Sequence, residues 1–246
     1  MSEIDDVVPK EKWAFDENVA NCFENMLERS IPQYNLMRDS VSGLCKYMLQ
    51  NRKKQTVSIL DIGCSDGLMI ESLKTKLDDM SDTSVYYTGC DVSEPMLTKA
   101  KHRFLDDIIN HKIKIINCDL RNDFPDGFYD IVTSCLTIQF TPIEYRQSII
   151  QSIYNSLSGA DGTFIMVEKV LGSTDLINKS MISNYYDMKK NNGYSDEQIE
   201  RKRLSLEGVL VPVTSDMNIS LLKSAGFRQV DTFWRWMNFT GYIAIK

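Results

Sequence analysis

A short apolar run that ends in an acidic residue and a glycine-containing turn constrains this chain more than any other feature. Residues 58–67 read Ser-Ile-Leu-Asp-Ile-Gly-Cys-Ser-Asp-Gly, and a helical pattern begins at Leu68. A residue without a Cβ allows a tight strand-to-helix turn and a close approach of backbone to ligand. Asp61 and Gly63 therefore mark the strand–turn–helix that opens a nucleotide-type cofactor site.

The rest of the chain alternates apolar runs with helical patterns. Helical residues at 13–49, interrupted around Pro32, precede the first strand, and helices are expected at 68–77, 95–105 and 142–157. Strands joined by such helices form parallel sheets covered on both faces, and right-handed crossovers make the sheet doubly wound. The last two apolar runs predict a tight hairpin that adds one antiparallel strand. We therefore expect an α/β fold with a doubly wound, mostly parallel, seven-stranded sheet, its strands at 57–62, 85–90, 113–117, 129–135, 163–167, 230–236 and 238–245.

The domain organisation follows from where this alternation starts and stops. Residues 1–12 are expected to be disordered. Residues 13–246 are expected to form a single domain, for which the length gives ample core. The region at 170–212 is polar and rich in Lys, Asn and Tyr, and we interpret it as a helical cap inserted before the last strands.

Composition and charge argue against several classes of protein. A net charge of −6 makes the chain a poor default binder of phosphate backbones, so no direct nucleic-acid binding is expected. No apolar run approaches the ~18 residues of a membrane span, and the acidic first residues do not fit a signal or transit peptide. The six scattered cysteines lack metal-ligand spacing, which favours a reduced, cytoplasmic protein with no metal.

The spacing of the turn selects the cofactor. Ser65 stands where the nicotinamide-binding fingerprint needs another glycine, so no pyrophosphate is expected, and S-adenosylmethionine (SAM) suits the loop better. Asp91 ends the second strand, where a carboxylate can accept hydrogen bonds from ribose hydroxyls. It can equally be part of a turn that only caps the next helix. Asp119 follows the third strand. It lies where the adenine amino group would be recognised, and the alternative is that it is only a loop aspartate.

The chemistry-bearing side chains outside this motif are few. The two histidines, His102 and His111, lie in polar surroundings, which disfavours a Ser/His/Asp hydrolase or a histidine-rich metal site. Basic residues cluster at 189–190 and 201–203 in the cap. They form either a solvated helix face or a clamp in which one arginine turns inward to a carboxylate. Spacing alone does not choose which residue turns inward.

Several motifs together resemble the carboxy-S-adenosylmethionine synthase family. The resemblance runs from about residue 13 to residue 246, and its N-terminal and cap motifs are more specific than the generic cofactor turn. They read WAFDENVA at 13–20, ERSIPQY at 28–34, DIGCS at 61–65, LTIQF at 136–140, NGYS at 192–195, KRxxLE at 202–207 and WMNF at 236–239.

The resemblance implies a class I methyltransferase fold, a homodimer, and synthesis of carboxy-SAM from SAM and prephenate with release of phenylpyruvate. The product is then used by a separate enzyme to modify a wobble uridine in tRNA. Arg203 would be the catalytic residue that pairs with the carboxylate on the modified methyl group. The cofactor site would be lined by Tyr34, Gly63, Cys64, Ser65, Asp91, Val92, Asp119 and Leu120.

One position departs from the family pattern. The family has an asparagine at the end of the fourth strand that contacts the cofactor, and alignment on Thr137 and Gln139 puts Cys135 there. A thiol cannot replace both the donor and the acceptor of an amide. Two alternatives therefore stay open: a conventional SAM-dependent methyltransferase acting on a small carboxylate or 2-oxo acid, and an inactive SAM-binding partner subunit.

Overall fold

The structure is a computed structural model that describes residues 4–6, 9, 11–50, 52, 54–80 and 83–246. Strands and helices alternate along the chain after two N-terminal helices. The strands are β1 (Thr56–Ile62), β2 (Ser84–Asp91), β3 (Ile113–Asn117), β4 (Ile131–Cys135), β5 (Thr163–Leu171), β6 (Val213–Thr214), β7 (Gln229–Trp236) and β8 (Phe239–Ile245). The helices are α1 (Glu17–Ser30), α2 (Tyr34–Gln50), α3 (Leu68–Leu77), α4 (Glu94–Arg103), α5 (Leu105–Ile109), α6 (Ile143–Ser156), α7 (Asp175–Asn191), α8 (Asp196–Leu206) and α9 (Ser215–Ala225).

The main sheet confirms the predicted fold class. Its strand order is β3-β2-β1-β4-β5-β8-β7, and β1 to β5 pair in parallel. Strand β8 runs antiparallel to both β5 and β7, so the terminal hairpin supplies the antiparallel strand. The two-residue β6, which the sequence did not predict, pairs with β5 beside this path.

Alternate side chains of the central strands supply two cores, one on each face of the sheet. In β1, Val57 and Ile59 pack with residues of α2 and α3, whereas Leu60 and Ile62 pack with residues of α6 and α9. Since successive side chains of a strand point to opposite faces, an apolar run of this kind is buried on both sides. The site is thereby restricted to the strand ends, where β1 lies between β2 and β4 and the crossover direction reverses.

The predicted cap consists of α7 and α8, which lie between β5 and β6 in the chain. Hydrogen bonds join it to the N-terminal part of the molecule. The Trp13 amide donates to the Ser205 carbonyl at 2.9 Å, and Arg29 Nε donates to the Asn192 carbonyl at 2.9 Å. The cap is therefore tied to α1 and to the segment before it.

The N-terminus differs from the sequence expectation at Asp5. Of the residues predicted to be disordered, 1–3, 7, 8 and 10 lie outside the described residues. Asp5 is 2% exposed, its carbonyl accepts a 2.8 Å hydrogen bond from Arg29, and its carboxylate accepts one from the Tyr194 hydroxyl. Polar composition alone could not reveal these partners, because they lie far away in the sequence.

In the part of the chain that the structure describes, no helix combines the length and apolar character that crossing a bilayer requires.

Candidate functional site

A cavity of about 400 Å³ opens at the carboxyl ends of the central strands, between the sheet, α1 and the cap. This volume is in the usual range for small-molecule sites. The structure brings all ten predicted cofactor residues to its wall: Tyr34, Asp61, Gly63, Cys64, Ser65, Asp91, Val92, Asp119, Leu120 and Cys135. Neither histidine lines it.

The turn after β1 is tight because two glycines adopt backbone angles that other residues rarely accept. Gly63 has φ +67° and Gly67 has φ +91°. A Cβ on Gly63 would lie 2.2 Å from Thr137 Oγ1, so the loop after β4 packs directly against the bare backbone of the turn. The amides of Gly63 and Cys64 both donate to the Cys90 carbonyl, at 2.8 and 3.0 Å, which ties the turn to β2.

Asp61 is buried at the end of β1 and has an unused acceptor. Its Oδ1 accepts a 2.7 Å hydrogen bond from the Thr133 hydroxyl, while its Oδ2 has no hydrogen-bond partner among the described residues. Burial raises the pKa of Asp61 to about 7. An unsatisfied buried carboxylate oxygen on a cavity wall fits the ammonium group of the methionine part of SAM.

Asp91 serves both roles that the sequence allowed. Its Oδ2 accepts from the Ser65 amide at 3.0 Å and its Oδ1 from the Ser93 amide at 2.9 Å, so the carboxylate holds the glycine turn and the start of α4. Burial raises the pKa of Asp91. A carboxylate offers about four lone-pair sites, which leaves acceptors for ribose hydroxyls.

Asp119 and Val92 lie at the open rim of the cavity. Arg121 Nη2 donates to Asp119 Oδ2 at 2.6 Å, and this hydrogen bond lowers the pKa of Asp119. Val92 is 59% exposed and offers an apolar edge. The pair can cover one side of a planar base that enters from the rim.

Cys135 ends β4 inside the cavity wall. Burial raises the pKa of its thiol well above the ordinary value, so the side chain is neutral. Its neighbour Thr137 donates to the Cys135 carbonyl at 3.2 Å. The position faces the site, as the family pattern implies, with a weaker hydrogen-bonding group.

Glu168, near the end of β5, organises the loop that follows β4. Its two carboxylate oxygens accept the amides of Ile138 and Gln139, at 2.9 and 2.8 Å, at the start of a short 3₁₀ helix (Ile138–Phe140). Burial raises the pKa of Glu168 to about 8. Gln139 Oε1 in turn accepts the Lys169 amide at 2.7 Å, so this network fixes the backbone at Lys169.

The cationic side of the cavity is formed by three lysines, Lys169, Lys189 and Lys202. They come from β5, α7 and α8. Lys189 and Lys202 belong to the two basic clusters that the sequence showed in the cap, and the spacing could not tell which member of each cluster turns inward. Burial lowers the pKa of Lys169 to about 8 and that of Lys202 to about 8. Burial, together with the positive charges of Lys202 and Lys169, lowers the pKa of Lys189 to about 7.

Arg203, the predicted carboxylate clamp, does not line the cavity of its own chain. Its side chain is 43% exposed and pairs with Glu200 at 2.8 Å. The inward face of α8 carries Ile199, Lys202 and Ser205 instead. With only one apolar residue on that face, the sequence could not fix the rotation of the helix. In the structure that face contacts Trp13, through Ser205 and Lys202, and Asp5, through Lys202.

The described residues hold no group of three or more His, Cys, Asp or Glu side chains that could bind a metal ion. The doubly wound sheet with its antiparallel hairpin, the glycine turn, and the acidic residues after β1 and β2 define an enzyme with the class I methyltransferase fold.

Comparison with known proteins agrees with this class and narrows it. Residues 59–159 match the family model described as "Methyltransferase domain". The solved structure of an O-methyltransferase family protein from Burkholderia thailandensis shares the fold, with a TM-score of 0.63 at 13% identity over 94% of this chain, which spans 60% of that chain. The carboxy-S-adenosyl-L-methionine synthase of Methylococcus capsulatus is 35% identical over 95% of this chain and 93% of its own. That of Nautilia profundicola is 36% identical over 96% of both.

The chain belongs to the carboxy-S-adenosyl-L-methionine synthase family and is a SAM-dependent transferase. The predicted family, fold class and cofactor are thereby confirmed.

Proposed function

We propose that this chain converts SAM and prephenate to carboxy-SAM, phenylpyruvate and water, the water being formed from the ring hydroxyl of prephenate and a proton of the SAM methyl group. Two relatives similar over nearly their whole length carry the name of this synthase, which supports the reaction type. The observation that carries the proposal is the separation of charge within one cavity. Buried aspartates lie beside the glycine turn, and buried lysines lie under the cap. A cationic cofactor and an anionic acid fit opposite ends of such a site.

The residues of the chain divide the work between binding and positioning. SAM supplies a methyl group activated by its sulfonium. Asp61 would hold the ammonium of SAM, the turn at Gly63 would lie against its methionine part, and Asp91 would bind the ribose. Asp119, Val92 and Leu120 would contact the base, and Tyr34, Cys64, Ser65 and Cys135 would complete the wall.

The most direct test of this function is turnover by the purified full-length chain. SAM and prephenate are incubated with the protein, and the products are identified by mass spectrometry, as is any ligand that copurifies. Carboxy-SAM together with phenylpyruvate is expected. A methylated acid together with S-adenosylhomocysteine would instead identify a methyltransferase, and lack of turnover with any acceptor would identify an inactive subunit.

Two observations favour the methyltransferase as second candidate. Cys135 occupies the position where the family pattern has asparagine, and Arg203 lies outside the cavity of the chain. Without those two contacts, the lysine side of the site could hold the carboxylate of a methyl acceptor such as a 2-oxo acid. The same assay separates the two candidates by the nucleoside product.

The proposal has four further parts: the family resemblance supports the homodimer, the use of the product and the Arg203 contact, and the net charge, cysteines and length support the rest. The protein acts as a cytoplasmic homodimer without binding nucleic acid itself, its single domain covers 13–246, and its product serves tRNA wobble-uridine modification. Arg203, which does not line the cavity of its own chain, pairs across the homodimer with the carboxylate of carboxy-SAM in the other copy. Light scattering coupled to size-exclusion chromatography tests the dimer. The affinity of Arg203→Ala for SAM and for carboxy-SAM tests the clamp.

A further inference from the structure

The three lysines of the cavity, of which Lys189 and Lys202 are buried and Lys169 is half-buried, form one connected cluster. Lys169 Nζ lies 4.8 Å from the centroid of the Tyr185 ring, and Lys189 Nζ lies 5.8 Å from the same centroid. Lys189 Nζ also lies 4.8 Å from the Tyr194 ring. The Tyr194 hydroxyl donates to Asp5, whose Oδ2 is 3.9 Å from Lys202 Nζ. Two rings of the cap thus hold the ammonium groups of Lys169 and Lys189 at one end of the cavity, and Asp5 connects Lys202 to the same group.

These ammonium groups carry more positive charge than their surroundings neutralise. Lys202 has Asp5 at ion-pair distance and lies over the Trp13 ring at 4.3 Å. Within the described ranges, neither Lys169 nor Lys189 forms an ion pair with a carboxylate, although Lys189 is only 4% exposed. Contact with an aromatic face compensates part of the cost of burying a cation, and a bound anion compensates the rest.

We propose that Lys169 and Lys189, supported by the positive charge of Lys202, form the subsite for the carboxylate that stays on the organic substrate. This inference rests on the proposed function, in which the 2-oxo acid side chain of prephenate is retained in phenylpyruvate. Tyr185 is a positioning residue, since its ring contacts both Lys169 and Lys189.

The lysine subsite lies away from the part of the cavity that would hold the carboxylate of SAM itself. The glycine turn and Asp61 belong to the β1 side of the cavity. Lys169 follows Glu168 on β5, and Lys189 and Lys202 belong to the cap. A carboxylate held by the cap therefore belongs to the organic substrate and not to SAM. One experiment can compare the binding of these two carboxylate-bearing ligands.

The test measures the binding of phenylpyruvate and of pyruvate to the full-length chain in the presence of SAM, by calorimetry. The variants Lys189→Met and Lys169→Met remove a charge while keeping an unbranched side chain. We expect each to weaken phenylpyruvate binding by about 30-fold or more, the usual loss for one partner of a buried charge pair. SAM affinity is expected to stay within about twofold, which also shows that each variant is folded.

The matched control is Lys190→Met. Lys190 neighbours Lys189 on α7, but its side chain is 46% exposed and pairs with Asp196 on the surface. It should bind phenylpyruvate as the wild-type chain does. Because Lys169→Met and Lys189→Met change different elements, failure of one to fold leaves the other to decide.

The possible results separate this inference from the proposed function. Unchanged phenylpyruvate binding in both variants would overturn the subsite, as would an equal loss for SAM, which would assign the lysines to the carboxylate of SAM. Failure of the wild-type chain to bind either 2-oxo acid would also overturn it. Absence of prephenate turnover, with lysine-dependent binding of phenylpyruvate intact, would refute the proposed reaction and leave the subsite standing.

Discussion

Replacing Gly63 by alanine should damage both the cofactor turn and the loop packed against it. Two costs add at this residue. Its φ of +67° costs a residue with a Cβ about 1–2 kcal/mol. The new Cβ would also lie 2.2 Å from Thr137 Oγ1 and 2.3 Å from Thr137 Cγ2, and overpacking of this kind costs about 1–3 kcal/mol. The free energy of unfolding should therefore fall by about 2–5 kcal/mol.

Urea unfolding followed by circular dichroism measures this loss. At a slope of about 3 kcal/mol per molar urea, the midpoint should move down by roughly 1 M. SAM affinity, measured by calorimetry, should fall at least about tenfold, which corresponds to about 1.4 kcal/mol. The matched control is Gly43→Ala. Gly43 lies within α2, and a Cβ added there would meet no other described residue within 4 Å, so alanine should stabilise the chain by about 0.5–1 kcal/mol.

A second substitution separates the two costs. In Gly63→Ala with Thr137→Gly, the clash is absent and the backbone cost remains. The double variant should recover the packing part, measured against Thr137→Gly alone. A loss below about 0.5 kcal/mol in Gly63→Ala, or strict additivity of the two substitutions, would refute the close packing of the turn against the β4 loop.

Three further predictions concern the charges and the unusual thiol. Because the pKa values of Lys189 and Lys169 are lowered to about 7 and about 8, their ammonium groups lose protons as pH rises through this range, so phenylpyruvate affinity should fall between pH 6.5 and 9. The charged groups that act on Lys189 are Lys202, Lys169, Asp5 and Arg29. Lys189→Met should flatten the profile, and a flat wild-type profile would contradict the prediction. Arg203→Ala breaks only a surface pair, so the free energy of unfolding should change by less than about 1 kcal/mol, while affinity for carboxy-SAM should fall relative to SAM; parallel losses for both ligands would argue against the clamp. Cys135→Asn places an amide donor and acceptor in the cavity wall and should tighten SAM binding, measured by calorimetry, by about 0.5–1.5 kcal/mol. Weaker binding would show that the thiol is needed there.

The sequence predicted the sheet well because a sheet of this kind depends on local patterns, and the same patterns brought the expected cofactor residues to one cavity. A buried parallel strand must be apolar, and the residue after it must lie at the ligand edge, so Asp61 and Asp91 could be placed without knowledge of their neighbours. Two predicted strand bounds differ from the structure: β4 begins at Ile131 and not at residue 129, and β5 extends to Leu171 and not to residue 167. Pairing with neighbouring strands sets these ends, as β6 and β8 do for β5.

The cap could not be predicted in the same way. Which face of α8 turns inward depends on contacts with Trp13 and Asp5, and the choice between Lys202 and Arg203 reverses with a rotation of one residue. The burial of Asp5 depends on Arg29 and Tyr194, which are remote in sequence. Long-range packing of polar residues leaves no periodic pattern in the sequence, so it could not be predicted.

The measurement that tests the proposed reaction most directly follows the carboxyl carbon of the substrate. Prephenate labelled with carbon-13 in its ring carboxyl group is incubated with SAM and the purified chain, and the nucleoside product is analysed by mass spectrometry. Carboxyl transfer predicts that the label appears in carboxy-SAM, with unlabelled phenylpyruvate released in equal amount. Unlabelled S-adenosylhomocysteine as the nucleoside product, with the label retained on a methylated acid, would contradict it.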